Sequence, residues 1–209
     1  MNKVLDYLKE INPNPKCELE YNKDYEFLIS VMLSAQTTDK RVNIVTKELF
    51  SKYDSLEKLK EAKEEDIKEI IKSLGNYTKK SRAIIEIAEK LYNIGYFPKD
   101  RETLESFPMV GRKTVSVVLG ELFNVPNIAV DTHVERVSKR LGLAKEKDTT
   151  LEVENKLKKK FPEKEWINLH LRLVHFGRYY CTSKKPKCDT CKLKNQCKYF
   201  KSNEKIILN

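Results

Sequence analysis

Four cysteines, Cys181, Cys188, Cys191 and Cys197, fall within seventeen residues in the pattern C-x6-C-x2-C-x5-C. A Cys-x-x-Cys pair flanked by two more thiolates can enclose one soft metal centre. Such a cage closes the C-terminal stretch on itself, whatever the preceding chain does. From the thiols alone, two occupants stay open. Zinc is the usual partner of an arbitrary four-cysteine loop, and an iron–sulfur cluster is the other. The spacing is not the doubled C-x2-C of a zinc ribbon. Met1 to Glu10 is too polar for a secretion signal, and no apolar run is long enough to span a membrane. An intracellular location, in cytoplasm or nucleoid, is therefore expected. A reducing compartment favours thiols as ligands over disulfides. Cys17 stands alone and reads as an inert small residue.

Ahead of the cage, the apolar residues recur at helical spacing, and no alternating strand pattern is present. The chain reads as all-α. Val4, Leu5, Leu8 and Ile11 share one helix face. Val42, Ile44, Val45, Leu49 and Phe50 suggest a second helix, Ile67, Ile70, Ile71 and Leu74 a third, and Ile84, Ile85, Ala88 and Leu91 a fourth. Phe27 to Leu33, with Ser30 as its one polar residue, suits a core helix. A long helix over about 163–180 buries Trp166, Leu169, Leu173 and Val174. The Tyr179/Tyr180 pair reads as core. Thr132-x-x-Glu135 and Thr149-x-x-Glu152 read as capping boxes opening helices. Lys and Arg number 41 against 31 Asp and Glu, a net charge of +10. That surplus favours a polyanion, with nucleic acid ahead of an anionic membrane.

The segment Phe107-Pro108-Met109-Val110-Gly111 separates two short amphipathic runs within about 101–124 and reads as a helix-hairpin-helix. Pro108 ends the first helix, and Gly111 permits the close turn. The second helix then offers unpaired N–H groups at its start, which suit a phosphate. Such contacts hold a nucleic-acid backbone without reading sequence. Lys113 lies in that first turn. A cation there meets the positive end of the helix dipole, which favours the neutral amine, a nucleophile able to form a Schiff base with a sugar aldehyde. The helix from Arg112 carries the chain about 20 Å away. The extended stretch Pro126–Asp131 can return it by about 20 Å. Asp131 can therefore act beside Lys113. If Thr132 caps the next helix, the Asp131 carboxylate is left to stabilise an oxocarbenium-like sugar and assist proton transfer.

These stretches resemble the endonuclease III family of DNA glycosylases in the helix-hairpin-helix superfamily. The family hairpin reads approximately L-P-G-V-G-R-K-T-A and is followed by V-D-T-H. Here the counterparts are Phe107 to Val115 and Val130-Asp131-Thr132-His133. Leu33 to Asp39 matches an early L-S-A-Q-x-T-D segment, and the cysteine spacing matches the family's cluster loop. The resemblance implies a two-lobed glycosylase fold: a six-helix barrel over 20–131, and a second lobe of 1–19 with 132–209 that ends in a [4Fe–4S] cluster loop. It implies excision of oxidised pyrimidines from duplex DNA and β-elimination at the abasic site, by a monomer with no membrane partner. Lys113 matches the Schiff-base lysine and Asp131 the catalytic aspartate. Cys181, Cys188, Cys191 and Cys197 match the cluster ligands. Gln36 matches the glutamine that fills the gap left by the flipped base. Ser34, Asp39, His133 and Arg136 match positions near the pocket or its flanking phosphates. Val110, Gly111, Arg112 and Thr114 belong to the hairpin's grip on the backbone. Lys184 and Lys185, with Lys187, form a cationic finger on the cysteine loop.

Two positions depart from the family pattern. Met109 stands where the hairpin has its first glycine, which bears on the grip on DNA. Asn76 stands where relatives often place a leucine wedge, and an amide is a weaker wedge. The alternative readings are a monofunctional mismatch or adenine glycosylase of the same superfamily, and a non-catalytic DNA-binding iron–sulfur module. Adenine-specific relatives need a glutamate where this chain has Ser30. Monofunctional relatives commonly lack the lysine. A non-catalytic module leaves the Lys113/Asp131 pair without a purpose.

Overall fold

The computed structural model describes residues 3–207, with side chains for 3–202. Every regular element among the described residues is helical. In order these are α1 (Lys3–Ile11), α2 (Asp24–Leu33), α3 (Asp39–Lys52), α4 (Leu56–Lys60), α5 (Glu64–Ile71), α6 (Tyr77–Ile94), α7 (Arg101–Glu105), α8 (Arg112–Phe123), α9 (Thr132–Arg140), α10 (Thr150–Lys160), α11 (Trp166–Tyr179) and α12 (Lys198–Ile207). Short 3-10 turns fall at Glu163–Glu165 and Lys194–Gln196. The chain divides into two compact units: residues 18–123, and residues 1–17 with 124–209.

The 18–123 unit is built around α2. Tyr25 to Leu33 are all buried, because α3, α6 and α8 pack against it on several sides. A helix covered that fully needs an apolar run instead of an amphipathic stripe. Around it α5 buries Ile67 and Ile71, and α6 buries Ala83, Ile84, Ile87, Ala88 and Leu91. In α3 the buried face is Val42, Val45 and Leu49, whereas Ile44 is 57% exposed. Ile44 lies two residues beyond Val42, which turns it off that stripe. Thr38, Ser55 and Asp100 each accept a backbone N–H at a helix start, a contribution of about 1 kcal/mol apiece.

The second unit joins the chain's two ends. Leu8 of α1, Val134 and Val137 of α9, Val153 and Leu157 of α10, and Leu169 and Leu173 of α11 form one sealed core. Tyr7 meets Phe176 edge-on at 6.1 Å. Arg172 is buried, and it donates to the carbonyls of Asn12 (3.0 Å) and Pro13 (2.9 Å) with Glu165 as counter-charge. That guanidinium ties the exit of α1 to α11. Tyr179 and Tyr180 are not core: Tyr179 is half exposed and Tyr180 stacks over Phe176 at the surface. They follow the last buried turn of α11, where the helix leaves the core.

One glycine is required by packing. A Cβ on Gly177 of α11 would lie 2.8 Å from the His133 Cβ and 3.3 Å from its Cα. The close crossing of α9 and α11 depends on that missing methyl group.

Candidate functional site

The Thr149 hydroxyl accepts from Glu152 N–H while Glu152 reaches back, so that capping box forms as the sequence suggests. Its counterpart at Thr132 does not. Asp131, in extended conformation, is itself the N-cap of α9, and its Oδ1 accepts from His133 N–H (2.9 Å) and Val134 N–H (2.8 Å). A short carboxylate one residue earlier reaches both N–H groups, so Thr132 is displaced from the cap into the first turn. The capping role uses one oxygen. Oδ2 takes no hydrogen bond among the described residues, so one face of the carboxylate stays open.

Next to it, His133 is half-buried against α11 and pairs through Nδ1 with Arg136 at 3.2 Å. Burial, and then the Arg136 and Arg178 charges, hold its imidazole below the ordinary value against the pull of Asp131. The folded state therefore binds less proton than the unfolded state just below the ordinary imidazole pKa. Stability is full above that value and is lost as pH falls toward the lowered one. The expected result is a melting temperature that drops as pH falls below about 6.5, with a shallower drop in His133→Gln. Equal slopes would refute it.

Arg136, placed near flanking phosphates on resemblance, turns inward. Its guanidinium donates to the carbonyls of Gly177 (2.8 Å) and Cys181 (3.2 Å). One turn later Arg140 donates to Thr182 O (2.6 Å), Ser183 O (2.8 Å) and the Cys181 sulfur (3.5 Å), and lies 4.2 Å over the Tyr199 ring. Two arginines thus fasten the root of the cysteine loop to α9. Lys187 N–H closes the loop onto Tyr180 O at 2.9 Å. Lys184 and Lys185 stay exposed on it.

The four thiols line a single cavity, walled by Tyr7, Leu141, Phe176, Tyr199 and Phe200. Burial and the neighbouring thiols push Cys188 and Cys191 above the ordinary thiol range. Four thiols so placed ionise when a cation joins them, and binding releases their protons. Among the described residues, no three His, Cys, Asp or Glu side chains form a group that could hold one metal ion.

In the other unit, the hairpin turns on Phe107 and Val110, both buried. Val110 N–H donates to Phe107 O at 3.2 Å. Val110 is therefore the turn's anchor and has no N–H left for a phosphate. The first bond of α8 runs from Val115 N–H to Gly111 O at 3.0 Å. The N–H groups of Lys113 and Thr114 thus have no partner in the helix. Arg112 and Lys113 are exposed at this end. Arg101 of α7 donates to Arg112 O (3.3 Å) and Ser116 Oγ (3.1 Å), which fixes the turn carrying Lys113.

Met109 is 43% exposed and adopts φ +59°. That is the left-handed region, where a side chain costs about 1–2 kcal/mol. The position needs a glycine's conformation and carries a methionine. At 109, glycine is expected to be more stable than alanine by about 1 kcal/mol. A thermal melt of the two variants decides it, and alanine equal to glycine would contradict the assignment.

Gln36 and Asn76 share this conformation, with φ +61° and +58°, and both are exposed. Ser34 follows α2 as its C-cap and donates to Val31 O at 2.8 Å. Asp39 opens α3, half-buried. The two turns are joined by a residue that composition does not flag. Lys80 is 1% exposed, and its ammonium donates to Leu33 O (3.0 Å) and Ala35 O (2.9 Å). A signal existed: Lys80 is in helical phase with Ile84, Ile87 and Leu91. Arg101 and Arg140 carried no comparable mark.

A hairpin of this build, with an exposed amine on its second helix, can hold a phosphate backbone and set a nucleophile beside it. The HhH-GPD superfamily base excision DNA repair protein family matches residues 29–163. Endonuclease III of Bacillus subtilis (strain 168) is 43% identical over 203 residues, covering 96% of this chain and 93% of that one. Endonuclease III of Rickettsia conorii (strain ATCC VR-613 / Malish 7) is 45% identical, covering 96% of each. A trapped endonuclease III–DNA covalent intermediate superimposes with a TM-score of 0.93 at 43% identity, covering 97% of this chain and 96% of that one. The chain belongs to the endonuclease III family.

Proposed function

We propose that this chain excises oxidised pyrimidines from duplex DNA and cleaves the resulting abasic site, acting as a monomer inside the cell. The observation that carries the reading is Lys113 itself: an exposed amine in the first turn of α8, beside N–H groups with no helical partner. Those donors and the positive helix end receive a phosphate. The target sugar is shielded within the stack, so the nucleotide must first swing out.

The Lys113 amine attacks deoxyribose C1′ as the bond from C1′ to the base breaks, and the base departs with the electron pair and takes up a proton. The Asp131 carboxylate, with Oδ2 open, stabilises positive charge building on the sugar. Opening of the sugar ring gives a protonated imine on Lys113. Loss of a C2′ proton then expels the 3′ phosphate oxygen and cuts the strand, and water releases the lysine. No divalent ion is required, because the amine supplies the driving group.

Gln36 fills the vacated gap and Asn76 faces the opposite strand, in place of the usual leucine. Ser34 and Asp39 flank the pocket. Gly111, Arg112 and Thr114 hold the backbone, and Lys184 and Lys185 reach flanking phosphates. His133 and Arg136 support this surface from within by packing the start of α9 on α11.

Cys181, Cys188, Cys191 and Cys197 would hold one [4Fe–4S] cluster. The four thiols line one cavity, and their C-x6-C-x2-C-x5-C spacing, which matches the family's cluster loop and is not that of a zinc ribbon, supports the cluster over zinc. The cluster would supply a rigid anchor for the cationic loop.

The test incubates the protein with thymine-glycol and abasic duplexes and adds borohydride. Covalent capture through Lys113 supports the proposal. Base release without capture makes the chain a monofunctional glycosylase, and binding alone makes it a non-catalytic module.

A further inference from the structure

α2 ends inside the 18–123 unit, where its last carbonyls need donors. Ser30 O accepts from Ser34 N–H, Val31 O from the Ser34 N–H and hydroxyl, Met32 O from Ala35 N–H and Ser34 O from Thr37 N–H. Two remain, Leu33 O and Ala35 O. Among the described residues they accept only from the Lys80 ammonium. This cation sits at the negative end of the α2 dipole, where a positive charge is favoured. No ion pair with a carboxylate forms at Lys80 among the described residues, and burial alone pushes its ammonium below the ordinary lysine range. A buried charge kept this way is held for its position, since an apolar residue would fill the same space without the desolvation cost.

Lys80 is also bound at its other end. Its backbone N–H donates to Asn76 O at 3.0 Å, the first helical bond of α6. One residue thus joins the Gln36 turn through its side chain and the Asn76 turn through its main chain. Both turns carry a non-glycine residue at positive φ, a conformation that persists only where the surroundings enforce it.

We propose that Lys80 is a positioning residue that locks the Gln36 and Asn76 turns into one body, so that both enter the duplex in register when the target nucleotide leaves it. The inference rests on the reading of Gln36 as the gap-filling residue. It adds that the gap-filling geometry is set from beneath, by a side chain that touches no DNA.

The test is a double-mutant cycle on the full-length protein. Single-turnover excision from a thymine-glycol duplex is measured for the wild type, Lys80→Met, Lys80→Arg, Gln36→Ala and the Lys80→Met/Gln36→Ala pair. Fluorescence of 2-aminopurine opposite the lesion reports in parallel whether the gap is filled. Lys80→Met is expected to slow excision by about tenfold to a hundredfold and to leave the 2-aminopurine signal as weakly perturbed as Gln36→Ala does. Lys80→Arg, which keeps donors, is expected to recover part of the rate. The pair is expected to lose clearly less than the product of the two single losses. If Lys80→Met melts below the assay temperature, Lys80→Gln takes its place, since its shorter amide cannot span both carbonyls.

Multiplied losses in the pair would overturn the proposal, because Lys80 would then act independently of Gln36. A wild-type rate for Lys80→Met beside a slow Gln36→Ala would overturn it too, while leaving the gap-filling reading intact. A wild-type rate and signal for Gln36→Ala would sink that reading, and this inference with it.

Discussion

Alanine at Lys113 is expected to abolish borohydride capture and slow strand scission about a thousandfold or more, equivalent to roughly 4 kcal/mol of transition-state stabilisation. The melting temperature should stay near that of the wild type, because Lys113 is exposed and supports no core contact. Asp131 needs a subtler pair of variants, because it also caps α9 through Oδ1. Asp131→Asn keeps an acceptor for His133 and Val134 but loses the charge. It is expected to melt close to the wild type and to lose activity. Asp131→Ala should lose activity and about 1 kcal/mol of stability as well. Gel analysis of nicked and captured duplex, set beside thermal melts, separates the two roles. Scission at the wild-type rate in Lys113→Ala would end the proposed mechanism.

The second large effect is expected far from the hairpin. Gly177→Ala places a methyl group 2.8 Å from the His133 Cβ, against a backbone atom only 3.3 Å away. The neighbour is the helix α9 itself, so relief requires α9 and α11 to part. The cost is about 2 kcal/mol, read as a melting temperature lower by roughly 4–8 °C for a chain of this size. Arg136 and Arg140 anchor the cysteine loop from α9, so the same change should loosen that loop and speed its proteolysis. A melt indistinguishable from the wild type would mean that the two helices do not cross as closely as described.

Much of the architecture was legible beforehand. Helical periodicity and the lack of alternating runs give an all-α chain, and most of each predicted stripe on α1, α5, α6 and α11 is buried, whereas Ile11, Ile70, Ile85 and Trp166 are half-buried and Ile87 takes a core place instead. The hairpin announced itself through Pro108, but the turn's left-handed residue is Met109; Gly111 is not at positive φ and a Cβ there would meet nothing within 4 Å. The errors share a cause. Thr132 and Asp131 are both good caps in isolation. The choice between them depends on where the extended segment meets α9, which local preference does not encode. Tyr179 and Tyr180 look apolar in composition, but they come after the helix has left its core. Arg136 is a different case: its hydrogen bonds to the carbonyls of Gly177 and Cys181 are a tertiary contact that the sequence does not announce, and they do not decide its place near the pocket or its flanking phosphates.

The order of residues along the chain by itself determined the helical class, the hairpin and the clustering of four thiols, because each depends on spacing over a few residues. Only the tertiary structure decided which charged groups meet solvent and which serve the protein's own carbonyls. Lys113, Lys184 and Lys185 remain outside, whereas Lys80, Arg136 and Arg140 turn to backbone oxygens. The physical reason is that a carbonyl left over at a helix end must find a donor. Which donor arrives depends on residues that lie close in space and far apart in the chain.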